Sequence, residues 1–201
     1  NDYLMESVSK DSSIEPARQR VMEEAKIVPV ALDLGIVMLR LAQQMQDPAD
    51  RQRELEKAEE TFVAIQGIAG ETDEYRMFLG QVYYWLGKHE EGRALFDELL
   101  EANDRSFEIL AGVSALLREV GETTNARRLI EEAYEATEVE AEKHLAARQR
   151  AVMHQDLDDE IVWLERSDPQ DISVQATLST TLGSQALQRG DDAAAVEDER
   201  H

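Results

Sequence analysis

The feature that most constrains this chain is a recurrence of like residues at a step of about 34 residues. Phe62, Phe96, Ile130 and Leu164 follow one another at that step, all large and apolar. Ala58, Gly92, Ala126 and Glu160 keep it too, as do Ile65, Leu99, Ala133 and Ser167. Gly87 and Gly121 are one step apart, and the pair Leu79-Gly80 maps onto Val113-Ser114 by the same shift. A fixed period of this length is the mark of a repeated supersecondary unit, each unit too small to bury its own apolar face and stacked on its neighbours to do so.

The unit is helical. Good helix formers (Leu, Ala, Glu, Arg, Gln) dominate stretches with few breakers, since the chain has 4 prolines and 10 glycines in 201 residues. The longest run rich in Val and Tyr, around Gln81 to Leu86, is too short and too helical in period for a sheet. The apolar fraction of 42% suffices for a continuous core. An all-α fold of paired helices follows.

From Tyr75 to Leu99 the chain resembles the tetratricopeptide repeat family. Leu79-Gly80, Tyr83, Gly87, a small residue at Gly92, Phe96 and the apolar Leu99 stand at the motif positions. The next unit repeats them as Val113, Ser114, Leu117, Gly121, Ala126, Ile130 and Ala133. Asp104 stands where the family usually has proline. The resemblance implies an α-solenoid of antiparallel helix pairs wound into a right-handed superhelix, with about four to five repeats over residues 28–201. Small residues at Gly80, Gly92, Ser114 and Ala126 would let paired helices approach closely. Large ones at Tyr83, Phe96, Leu117 and Ile130 would fill the space between pairs. Gly87 and Gly121 would supply the left-handed residue that ends the first helix.

The expected layout begins with a polar tail or linker over 1–12 and an N-terminal helix over 13–27, capped by Ser13 with Pro16 in its first turn. Pro29 opens the next helix, about 29–45, whose partner runs about 49–67. In this first unit, 28–70, the interval from Leu34-Gly35 to Ala58 is about eleven residues longer than its counterpart in the next unit, an insertion placed near 46–50. Regular units span 73–106 and 107–137. A degenerate unit spans 138–171, with Arg148 and Glu160 at positions that call for small residues, and Ser167-Asp168-Pro169 as a stop-and-restart signal. A fifth unit, 172–201, carries Leu182-Gly183, Ala186, Gly190 and Ala195 and stops inside its second helix. An uncapped solenoid end is unfavourable, so continuation of the chain is expected.

Charge and motifs narrow the function. A net charge of −22 repels phosphate backbones and anionic membranes, so nucleic acid and membrane are poor partners. It serves solubility, or hastens encounter with a basic protein segment. No apolar stretch approaches the roughly 20 residues of a membrane span. Without cysteine there is no disulfide, thiolate metal site or thiol nucleophile. None of His89, His144, His154 and His201 stands in a zinc-binding pair, and there is no nucleophile elbow or phosphate loop. Asp156, Asp158, Asp159 and Glu160 lack the glycine of a calcium loop and read as a helix cap with acids in the first turn. No enzyme activity, cofactor or metal is expected.

In the family that the chain resembles, the first helix of each pair lines a concave groove that holds a peptide or protein segment. Counting from the Leu-Gly pairs, the resemblance places Glu74, Met77, Gln81, Tyr84 and Trp85 there from the second unit. It places Glu108, Ala115, Arg118 and Glu119 from the third, and Leu145, Gln149, Val152 and Met153 from the fourth. Met77, Tyr84 and Trp85 would anchor apolar side chains, and Gln81 and Arg118 would give polar contacts; Trp85 serves equally well as a packing residue between units. The basic carboxylate clamp of some family members is not matched at Met77, Gln81 and Ala115. The expectation is a protein-interaction scaffold. A spacer, a self-association module forming a homo-oligomer, and a regulatory arm of a larger protein stay open.

Overall fold

The computed structural model describes the backbone of residues 14–198 and the side chains of residues 28–190. The expected tail over 1–12 and the cap at Ser13 lie outside the described residues. Among the described residues there are nine α-helices and no strand: α1 (Ile14–Gln44), α2 (Pro48–Ala69), α3 (Asp73–Trp85), α4 (His89–Ala102), α5 (Phe107–Glu119), α6 (Thr123–Ala136), α7 (Glu140–Ala151), α8 (Leu157–Glu165) and α9 (Ile172–Asp198). The fold is all-α and repeat-like. It divides into two compact units, one up to Leu99 and one from Leu100 onward.

In the first unit, α1 pairs with α2 and α3 packs against both. The two helices expected at 13–27 and 29–45 are one, with Pro29 inside it. The ring removes one intrahelical hydrogen bond, yet Val28, Ala31 and Leu32, on either side of it, pack on the same core and carry the helix through. That core is built on Leu39, Ala42, Leu55, Phe62, Tyr75 and Val82.

The extra residues of the first hairpin do not form a loop. Three residues connect α1 to α2, as three connect α3 to α4. Instead α1 runs nine residues past Gly35, whereas α3 runs five past Gly80. At the other side of the turn, α2 starts fourteen residues before Phe62, whereas α4 starts seven before Phe96. The additions of four and seven residues are close to one and two helical turns, so the buried faces keep their phase. Asp47 caps α2 by accepting from the amides of Ala49 and Asp50, at 2.8 and 2.9 Å, and Pro48 fits the first helical position.

The ends of α5 and α6 follow those of α3 and α4 at the sequence period: Phe107 after Asp73, Glu119 after Trp85, Thr123 after His89, Ala136 after Ala102. Gly87 and Gly121 sit in both inter-helix turns with φ of +76° and +88°, where a Cβ would be strained. In the second unit Leu110, Val113, Leu117, Leu129 and Ile130 are buried between α5 and α6. A further cluster of Ala147, Ala151, Trp163, Leu164 and Val174 joins α7, α8 and α9. α8 begins one period after α6 but ends early, ahead of Asp168-Pro169.

The fifth unit differs from expectation at its turn: α9 runs unbroken through Gly190, as it does through Gly183. Nothing lies within 4 Å of a Cβ built on either glycine. No second helix among the described residues rests on Gly190 to select a turn, and continued helix satisfies the backbone groups instead.

Candidate functional site

Four of the expected contact residues, those of the second repeat, lie in the compact unit that ends at Leu99, and two of them are buried. Tyr84 is 4% exposed, its ring stacked on Phe96 at 5.5 Å between centroids and meeting His89 edge-on at 5.4 Å. Gln81 is 5% exposed, and its amide donates back to the Met77 carbonyl at 3.3 Å. Both therefore depart from the expected role as partner contacts. Gly92 has no side chain to hold the Tyr84 ring away, so the ring falls into the α3/α4 seam instead of facing outward. Trp85 is half-buried against the first core, with its indole N–H enclosed and without an acceptor. Its packing alternative describes its position; Met77 is half-buried as well.

Arg118 belongs to the second unit and is exposed in the last turn of α5. It makes no ion pair with any described residue. Together with Leu145, Arg148, Gln149 and Val152 of α7 and its end, it lines a cleft of about 240 Å³. The register between the two helices is fixed by the Gln149 amide, which donates to the Ala111 carbonyl of α5 at 3.0 Å. Leu145 and Val152, seven residues apart and so on one helix stripe, are 54% and 59% exposed.

Two adjoining clefts, of about 190 and 210 Å³, continue toward α9; Arg148 and Val174 line both. Arg148 donates to Asp171 at 2.9 Å. Asp171 is held below the usual carboxylate range by the Ser173 hydroxyl and backbone amide, with Arg148 adding to the effect. Of the residues expected from the fourth unit, Leu145, Gln149 and Val152 line these clefts. Met153 does not: it is 3% exposed and part of the interior.

Arg148 could not be recognised from the sequence, where it stands in a position filled by Gly80 and Ser114 in the earlier units. Here Ala147 and Ala151 take over the close helix contact, at 0% and 2% exposed. Arg148 is thereby rotated to the surface.

Behind this face lies a buried charge. Arg150 is 3% exposed and donates to Glu131 of α6 at 2.5 Å and to both carboxylate oxygens of Asp159 of α8 at 3.0 and 3.1 Å. Its guanidinium lies 5.2 Å from the Trp163 ring, and that of Arg166 lies 4.6 Å from it. Burial by itself would raise the Asp159 carboxyl, but the Arg150 hydrogen bonds and the Gln155 amide outweigh it and hold the group low. Arg150 thus joins α6, α7 and α8.

His144 meets Glu140 at 3.1 Å, and Asp156 caps α8 by accepting from the Asp159 amide at 2.8 Å. Among the described residues no three His, Asp or Glu side chains are grouped to hold a metal ion. None of the described helices is long and apolar enough to cross a membrane. No known family profile matches the chain, and no curated protein matches it.

Proposed function

We propose that this chain is a helical-repeat binding module of the tetratricopeptide kind, which grips a segment of another protein on the face formed by α5, α7 and α9. The observation that carries this reading is the run of adjoining clefts that share Arg148, with Leu145 and Val152 half open to solvent and Arg118, which has no ion pair among the described residues, at the rim. Exposed apolar side chains among fixed polar groups are what a peptide anchors to. The recurrence of helix ends at the sequence period supports the family assignment, and with it the stacking of pairs into a solenoid.

The chemistry of the face defines the segment. Leu145 and Val152 take an aliphatic or aromatic side chain, while Arg118 takes a carboxylate, for which guanidinium is the matched donor. The net charge of −22 adds a long-range pull on basic residues flanking that segment. The protein acts by holding, without a cofactor and without chemistry of its own. The test is selection of displayed peptides on the whole chain, followed by titration of one selected peptide. Apolar sequences with an acidic group should emerge and lose about tenfold or more in affinity with Leu145→Ala or Arg118→Ala. Equal binding by both variants would remove this face from the function. A self-association module is the second reading, favoured by a separate apolar stripe on α1.

A further inference from the structure

Helix α1 is apolar on two faces. Gly35, Leu39 and Ala42 are buried against α2. On another face Val30, Leu34, Val37 and Leu41 are between 46% and 67% exposed. Counted from the Leu-Gly pairs, the same positions in α3 are Tyr75, Leu79, Val82 and Leu86. The first three are at most 2% exposed, and all four pack in the core formed with α1 and α2. The stripe on α1 therefore stands where a docked helix face is wanted, and no described residue covers it. Its steps of four, three and four residues are those of a two-helix seam.

Charge identifies the occupant. Between Ile27 and Gln46 the only charged residues are Asp33 and Arg40, in a chain of net charge −22. Both are exposed beside the stripe, and neither makes an ion pair with a described residue. Seven residues apart, they are separated by about 10 Å of helix and cannot meet each other. A second copy laid antiparallel, with the two-fold axis between Gly35 and Ile36, sets Leu34 opposite Val37 and Val30 opposite Leu41. The same register brings Asp33 of each copy next to Arg40 of the other. Parallel pairing would bring no opposite charges together. We infer that two copies of this chain associate through α1, antiparallel, along Val30, Leu34, Val37 and Leu41. An acidic chain can self-associate here because the stripe and its flanks are neutral.

Sedimentation velocity of the whole chain over a concentration series tests this. The wild type should reach a dimer, and Leu34→Glu should remain monomeric with unchanged circular dichroism, since Leu34 lies outside the core. Arg40→Asp should raise the dimer dissociation constant about tenfold, and Asp33→Arg with Arg40→Asp should restore it to within about threefold. The chain has no cysteine, so orientation can be read by oxidation: a mixture of Leu34→Cys and Val37→Cys chains should cross-link to each other in preference to themselves. A wild type monomeric at every concentration, a dimer indifferent to Leu34→Glu, or preferred linkage of Leu34→Cys chains among themselves would each overturn the inference.

Discussion

The Ser114 hydroxyl of α5 donates to the Ala126 carbonyl of α6 at 2.8 Å. One period earlier the same two positions are Gly80 and Gly92, and there a Cβ on Gly92 would lie 3.0 Å from the Gly80 carbonyl oxygen. The two hairpins close at one point by different means, a hydrogen bond in one and bare backbone in the other.

That close approach predicts opposite effects for one substitution. Gly92→Ala places a methyl 2.7 Å from the Tyr84 ring and should destabilise by about 1–3 kcal/mol despite alanine's better helix propensity. Gly112→Ala, with nothing within 4 Å, should stabilise by about 0.5–1 kcal/mol. Urea unfolding of the two variants beside the wild type checks both signs.

Tyr84 and Leu145 should separate stability from binding. Tyr84→Ala removes a ring buried between Phe96 and Gly92 and should cost about 3–4 kcal/mol of stability. Leu145→Ala, at 54% exposure, should leave the unfolding free energy within about 0.5 kcal/mol while weakening the selected peptide. Reversed outcomes would place the contact surface in the first unit after all.

Arg150 should be the most costly polar side chain to remove. Arg150→Ala leaves Glu131 and Asp159 without their shared donor and opens space beside Trp163, a loss of about 2–3 kcal/mol. Part of the penalty is relieved because both carboxylates retain some contact with water. A change below about 0.5 kcal/mol in urea unfolding would show that the network adds nothing.

Stability should fall in acid. Asp159 is held low against the effect of burial by Arg150, and Glu132 is held low by the Arg105 hydrogen bond. A carboxyl whose folded pKa is depressed contributes stability above its unfolded value, near 4, and loses it as pH falls through the lower folded value. Unfolding free energy measured from pH 6 downward should therefore drop below about pH 4, and Arg150→Met should flatten that drop. An unchanged slope in the variant would detach the acid limb from Asp159.

Much of the local plan was legible in the residues. The starts of α3 and α5, the positive-φ glycines and the Asp156 cap follow from spacing and capping chemistry, because these depend on neighbours in the chain. Pro29 misled because a proline's cost is local, whereas the packing of Val28, Ala31 and Leu32 that overrides it comes from α2 and α3. Gly190 misled in the same sense, since a turn there needs a second helix to receive it. Among the candidate contacts, counting reached Arg118, Leu145 and Val152, which line one cleft. It did not reach the burial of Tyr84 or the outward turn of Arg148.

The sequence by itself determined helices, their period and the acidic surface, all set by backbone propensity and residue type at fixed intervals. Only tertiary structure decided which apolar side chains were consumed in the core and which were left exposed. That choice depends on how closely two helices approach, and a glycine in place of a larger side chain at one crossing is enough to redirect a ring from surface to seam.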